Sequence, residues 1–217
     1  MDNHPLDNGH FAEQPQSPCS LTPLDKLFPS HDDWWNNACL NLSRNDWGVY
    51  ALGYKEAADL LVEHIVTHRF SQDTLVYPIL FSYRHYIELM IKDTLRMARR
   101  LQDVADQPMG HHKINNLWDE LHRLLLIIFP DEMVNELKDI SRLVGEFSTV
   151  DPGSFSFRYP VDKAGNPSLP GITHINLRNI RDVVANIATI LTGTNSQVYE
   201  CLQFRIEQER EFLEDCY

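Results

Sequence analysis

"LVYPILFSYRHYIELMIKDTLRMARR", Leu75 to Arg100, decides how the chain is read. Leu80, Tyr83, Ile87, Met90 and Ile91 recur at three- and four-residue steps, the period of an α-helix. Arg84, Glu88 and Lys92 interrupt them at i, i+4 and i+8, so they lie along one side of that helix with His85 adjacent. A helix this apolar is packed on most of its circumference, with one polar seam left. The seam has two readings. As a ladder of alternating charge it adds about a few tenths of a kcal/mol per pair and needs no function. As a strip facing a cleft or a second subunit, Arg84 and Lys92 would hold a phosphate, His85 would move a proton, and Glu88 would orient one of them.

Working outward, the same period continues on both sides. Tyr50, Tyr54, Ala57, Leu61 and Ile65 predict a preceding helix from about Trp47, with Lys55, Glu56, Asp59 and Glu63 on its wet side. Pro78 fits near the first turn of the quoted helix, which runs to about Gln102 as the longest element. Pro108 and Gly110 break the pattern. "NNLWDELHRLLLIIF" restarts it with Asn115 or Asn116 as N-cap and Leu117, Leu121, Leu124 and Ile128 inside. A fourth helix begins at Pro130 and Asp131, with the stripe Met133, Leu137, Ile140, Val144 and Phe147. Residues 148–176 carry four prolines and three glycines, a long connection that Phe155, Phe157 and Tyr159 anchor as a small hairpin. Leu177, Ile180, Val184, Ile187 and Leu191 then mark a helix that Gly193 ends, and an acidic helix over about 195–215 closes the chain. The fold expected is all-α: an antiparallel helical bundle with one long Pro/Gly/aromatic loop.

Five of the twelve prolines fall in the first thirty residues, among polar residues. Residues 1–33 therefore read as a flexible arm and 34–217 as one helical domain, core about 47–192, with Trp34 or Trp35 in a short helix capping that core. The charge balance is acidic, 31 Asp plus Glu against 19 Lys plus Arg, net -12. Such a surface repels phosphate backbones and argues against coating DNA, but leaves room for a focused basic site. Four scattered cysteines without a C-x-x-C pair support neither a zinc cluster nor a thioredoxin-type motif. No secretory signal and no apolar run of about 20 residues is present, so the expectation is cytoplasmic, with no membrane partner. No P-loop, Rossmann glycine pattern or G-x-S-x-G occurs, and no cofactor is expected. His64 and His68 have metal-compatible helical spacing but no third ligand nearby, so no metal site is assigned.

Two further places carry candidate chemistry. His111 and His112 precede a helix start, where unsatisfied N–H groups welcome an anion; the alternative is that His111 hydrogen-bonds or packs on the next helix. Arg158 lies between Phe157 and Tyr159, where it can stack on a base or hold a phosphate, or clamp the loop to an acidic helix.

Three phrases in this order resemble the HEPN family (higher eukaryotes and prokaryotes nucleotide-binding). "FSYRHYIELMIKDTL" is similar to its second helix, "GHHKINNLWDEL" to its His and Leu-spaced third helix, and "FRYPVDKAG" to the phrase before its last core helix. The resemblance covers about residues 47–192. It implies a four- or five-helix bundle, a homodimer, and a place in a bacterial toxin–antitoxin or antiviral defence system. Ribonuclease members carry Arg-x4-6-His, and no Arg here has a His at that distance. The expected function is thus a HEPN-like interaction module that binds RNA, a nucleotide or a protein partner. The alternative is a divergent metal-independent ribonuclease using Arg84, His85, Glu88 and His111, with Lys92, His112, Arg158 and Tyr159 binding the ligand.

Overall fold

The computed structural model describes residues 21, 23–30, 32–40, 47–105, 107–130 and 134–215. The chain divides into two units, Met1–Arg44 and Asn45–Tyr217. Within the first, Trp34–Asn36 form a single 3-10 turn. Trp34 and Trp35 are 68% and 94% exposed. Of the predicted arm, residues 1–20, 22 and 31 lie outside the described residues, while Leu21, Leu24, Leu27 and Phe28 are exposed.

The second unit is the expected all-α bundle, built from α1 (Trp47–His68), α2 (Gln72–Leu101), α3 (Ile114–Ile128), α4 (Val134–Val150) and α5 (Leu177–Asp215). Among the described residues there is no strand, only an isolated bridge between Val161 and Pro167 in the long connection. Helix α2 packs against α1, α3 and α5, and α4 packs on α3. Being covered by three neighbours, α2 buries residues on almost every side from Ile79 to Arg99, which is why it lacks a broad wet face. A three-residue link makes α1 and α2 a hairpin. Helix α5 instead runs in the same direction as α2: Asn195 bonds Asp93 and Thr94, and Arg205 bonds the Leu101 carbonyl and Asp103. The long connection over 151–176 carries the chain back so that this parallel packing can form.

Several boundaries differ from the sequence expectation. In α1 the face turned inward is one residue on: Ala51, Ala58 and Val62 are buried, whereas Tyr50 is exposed and Ala57 lies outside. Small alanines let α1 approach α2 closely, a signal weaker to a reader than the tyrosines. Tyr54, Leu61 and Ile65 do pack against the core. Pro78 sits in the second turn of α2, not its first. Helix α3 starts at Ile114 with Lys113 as N-cap, so Asn115 and Asn116 belong to its first turn. Helix α4 buries Leu137, Ile140 and Val144, while Asp131 and Met133 lie outside the described residues. Gly193 does not end a helix: α5 passes through it for 39 residues, making α5 rather than α2 the longest element. Buried Leu191, Thr194, Val198 and Leu202 keep one inward stripe across the glycine, and that packing outweighs its cost of about 1 kcal/mol.

Candidate functional site

The polar seam of α2 turns inward. Arg84 and Glu88 are both fully buried and pair at 2.8 Å, and Lys92 Nζ reaches the other Glu88 oxygen at 2.8 Å. The loop before α3 and the end of α4 complete the arrangement. Arg84 Nε donates to the Asp151 carbonyl at 3.1 Å and Nη2 to the His112 carbonyl at 2.7 Å. Asp151 Oδ2 lies 3.3 Å from Arg84 Nε. All three guanidinium nitrogens thus already donate within the protein. Two buried carboxylates face two buried cations, the balance that a low-dielectric interior demands. Burial pushes the Glu88 carboxyl up, but hydrogen bonds from Lys92 and Arg84 outweigh it and hold the group down at about 2.

His112 touches this network from outside. Its ring is 48% exposed and its Nδ1 lies 2.8 Å from Glu88 Oε1. Glu88 can only accept, so His112 Nδ1 is the donor in this contact. His111 is exposed, and its Nδ1 accepts the Lys113 N–H at 3.3 Å.

His85 faces elsewhere. It lies edge-on to Tyr54 at 4.5 Å and stacks on Phe81 at 5.5 Å, and its buried Nδ1 has no hydrogen-bond partner. Burial lowers its pKa below the ordinary 6.5, with Glu88 opposing, so the neutral ring is favoured.

The turn after α4 brings Arg158 to the same aromatic group. Asp151 Oδ1 accepts the N–H groups of Phe155 (2.6 Å) and Ser156 (2.9 Å), and Phe157 is buried. These anchors hold a turn with Ser154 in the left-handed region. From it the exposed Arg158 donates through Nε to the Ser154 carbonyl at 2.6 Å. Its guanidinium lies 5.6 Å from the Phe81 ring centre and 5.7 Å from that of Tyr159, which stacks on Phe155. The terminal guanidinium nitrogens have no described protein partner. Arg158 and Tyr159 line a cleft of about 520 Å³ together with Tyr77, Phe157 and Ile172.

The predicted residues therefore fall into three groups. Arg84, Glu88, Lys92 and His112 are brought together around a buried charge cluster. His85 and Arg158 meet at Phe81, and Tyr159 joins them through Arg158. His111 joins neither. His64 and His68 lie with ring centres 4.4 Å apart and planes tilted by 31°, and no group of three potential metal ligands occurs among the described residues. Sequence reading missed Asp151, although a carboxylate at a helix C-terminus before Pro152-Gly153 is disfavoured by the helix dipole and so signals a tie elsewhere. It also missed Tyr77 as a cleft residue, for which no local signal exists. No family model, no curated protein and no solved structure matches this chain.

Proposed function

We propose that this chain is a HEPN-like binding module for a nucleotide or RNA, with Arg158 as the phosphate-holding cation and Tyr159 as the neighbouring aromatic surface. The observation that carries the reading is the contrast between its arginines: all three guanidinium nitrogens of Arg84 donate inside the protein, whereas Arg158 lines a cleft with its terminal nitrogens unpartnered among the described residues. Guanidinium held over aromatic rings is pre-organised, so little side-chain entropy remains to be lost when it takes up a phosphate. The HEPN-like assignment, the toxin–antitoxin or antiviral setting and the homodimer rest on the sequence resemblance. Isothermal titration with AMP tests the reading. Binding to the parent protein should be lost in Arg158→Ala, and equal affinity in the two would remove Arg158 from the site.

A second reading is favoured by one observation, the Glu88–His112 pair. A carboxylate accepting from Nδ1 orients a half-exposed ring, the arrangement in which a histidine can act as general base on a ribose 2′-hydroxyl without a metal. RNA cleavage in EDTA, abolished by His112→Gln in a folded protein, would establish this alternative.

A further inference from the structure

Three clefts join end to end beside the N-terminal half of α2. The Arg158 cleft shares Tyr77, Leu169 and Ile172 with a second cleft of about 530 Å³. That one shares Gln72, Ile175 and Leu177 with a third of about 390 Å³, which Arg69 and Arg178 line. The result is one groove between α2, the ends of α1 and α5, and the long connection. Its cations are Arg158 at one end and Arg69 and Arg178 at the other, with His174 between. Asp73 is its one lining carboxylate among the described residues. On a chain of net charge -12 this is a local reversal of sign.

The groove floor adds aromatic and apolar surface. Tyr77 is 48% exposed and Tyr159 49% exposed, and both line it. Neither Arg69 nor Arg178 makes a side-chain hydrogen bond or ion pair to a described residue. Arg69 is also held in the left-handed region (φ 62), where its N–H closes the end of α1 on the Ile65 carbonyl. That region favours glycine, so the arginine there sits in a strained backbone conformation.

Resting on the nucleotide-binding reading above, we infer that this groove takes a short single-stranded RNA rather than a mononucleotide, with phosphates at Arg158 and at the Arg69–Arg178 end and bases against Tyr77 and Tyr159. Spaced cations alternating with aromatic faces suit a single strand, because each base offers a face to stack and each linkage a charge to neutralise. A mononucleotide would use one end only.

The test is fluorescence anisotropy of labelled hexauridylate on the full chain in EDTA, with AMP as competitor. The hexamer should bind at least about tenfold tighter than AMP, and its logarithmic salt dependence should have a slope of about -2, from three neutralised phosphates at about -0.7 each. Arg69→Gly, which relieves the left-handed backbone, combined with Arg178→Ala should weaken the hexamer about tenfold. It should also flatten the slope to about -0.7 and leave AMP unaffected. Equal affinity for hexamer and AMP, or a double variant that binds the hexamer like the parent, overturns the extended site while an Arg158-dependent AMP site survives. Loss of any Arg158 dependence overturns the nucleotide-binding reading as well.

Discussion

Glu88→Gln is the most informative single change in the interior. The substitution keeps the shape but removes the charge that faces Arg84, Lys92 and His112, and it turns one of the two accepting oxygens into a donating NH2. With Asp151 alone remaining, the fully buried Arg84 and nearly buried Lys92 carry one uncompensated positive charge. Depression of the Glu88 carboxyl from 4.5 to about 2 corresponds to about 3 kcal/mol of folding free energy. Breaking one partner of a buried pair independently suggests about 3–5 kcal/mol. Urea unfolding near neutral pH should therefore show Glu88→Gln less stable by about 3 kcal/mol, with an unchanged denaturant slope. The pH dependence is the sharper test. A depressed carboxylate contributes fully above its unfolded pKa of 4.5, and the contribution is lost as pH falls through the folded value of about 2. The parent should thus lose stability in acid while the glutamine variant does not lose this component, and roughly half the gap should be gone by about pH 3. A neutral-pH loss below about 1 kcal/mol, or a gap constant from neutral to acid, would mean that Glu88 does not balance the buried cations.

Three other changes test separate parts of the structure. Asp151→Ala strips the acceptor from Phe155 and Ser156 N–H and a counter-charge from Arg84; it should cost about 3 kcal/mol, and amide exchange should quicken at those two residues. His85→Phe should be at least as stable as the parent near neutral pH, since Nδ1 is buried without a partner. Because burial lowers the His85 pKa in the fold, the unfolded chain binds the proton more readily; parent stability falls as pH drops below 6.5, and the phenylalanine variant should gain on it in urea midpoints there. Gly193→Ala should stabilise by about 1 kcal/mol by thermal unfolding, as the added methyl meets nothing within 4 Å and α5 is continuous there.

Much of the bundle is legible in the chain because burial on one helix face repeats at a fixed step. The stripes Leu117–Leu121–Leu124, Leu137–Ile140–Val144 and Leu177–Val184–Ile187–Leu191 are local patterns, and all are buried. The errors arise where tertiary packing overrides local preference. Gly193 reads as a stop until the stripe on both sides of it is seen to face α2, and Ala51 and Ala58 look too small to define a face. The site divides the same way. The Arg84–Glu88–Lys92 ladder is written in its spacing, but its burial depends on Asp151, 67 residues beyond Arg84, and on the His112 carbonyl. The joining of Arg69, Tyr77, Arg158 and Arg178 along one groove follows from the return path of the 151–176 connection, which no periodicity encodes.

The most direct test of the central claim incubates labelled hexauridylate with parent protein and Arg158→Ala in EDTA, reads anisotropy, and then resolves the RNA on a gel. The expected result is intact RNA throughout, bound by the parent and released by Arg158→Ala. Cleaved RNA with the parent, lost in His112→Gln and retained in Arg158→Ala, would contradict it and move the function to the Glu88–His112 pair.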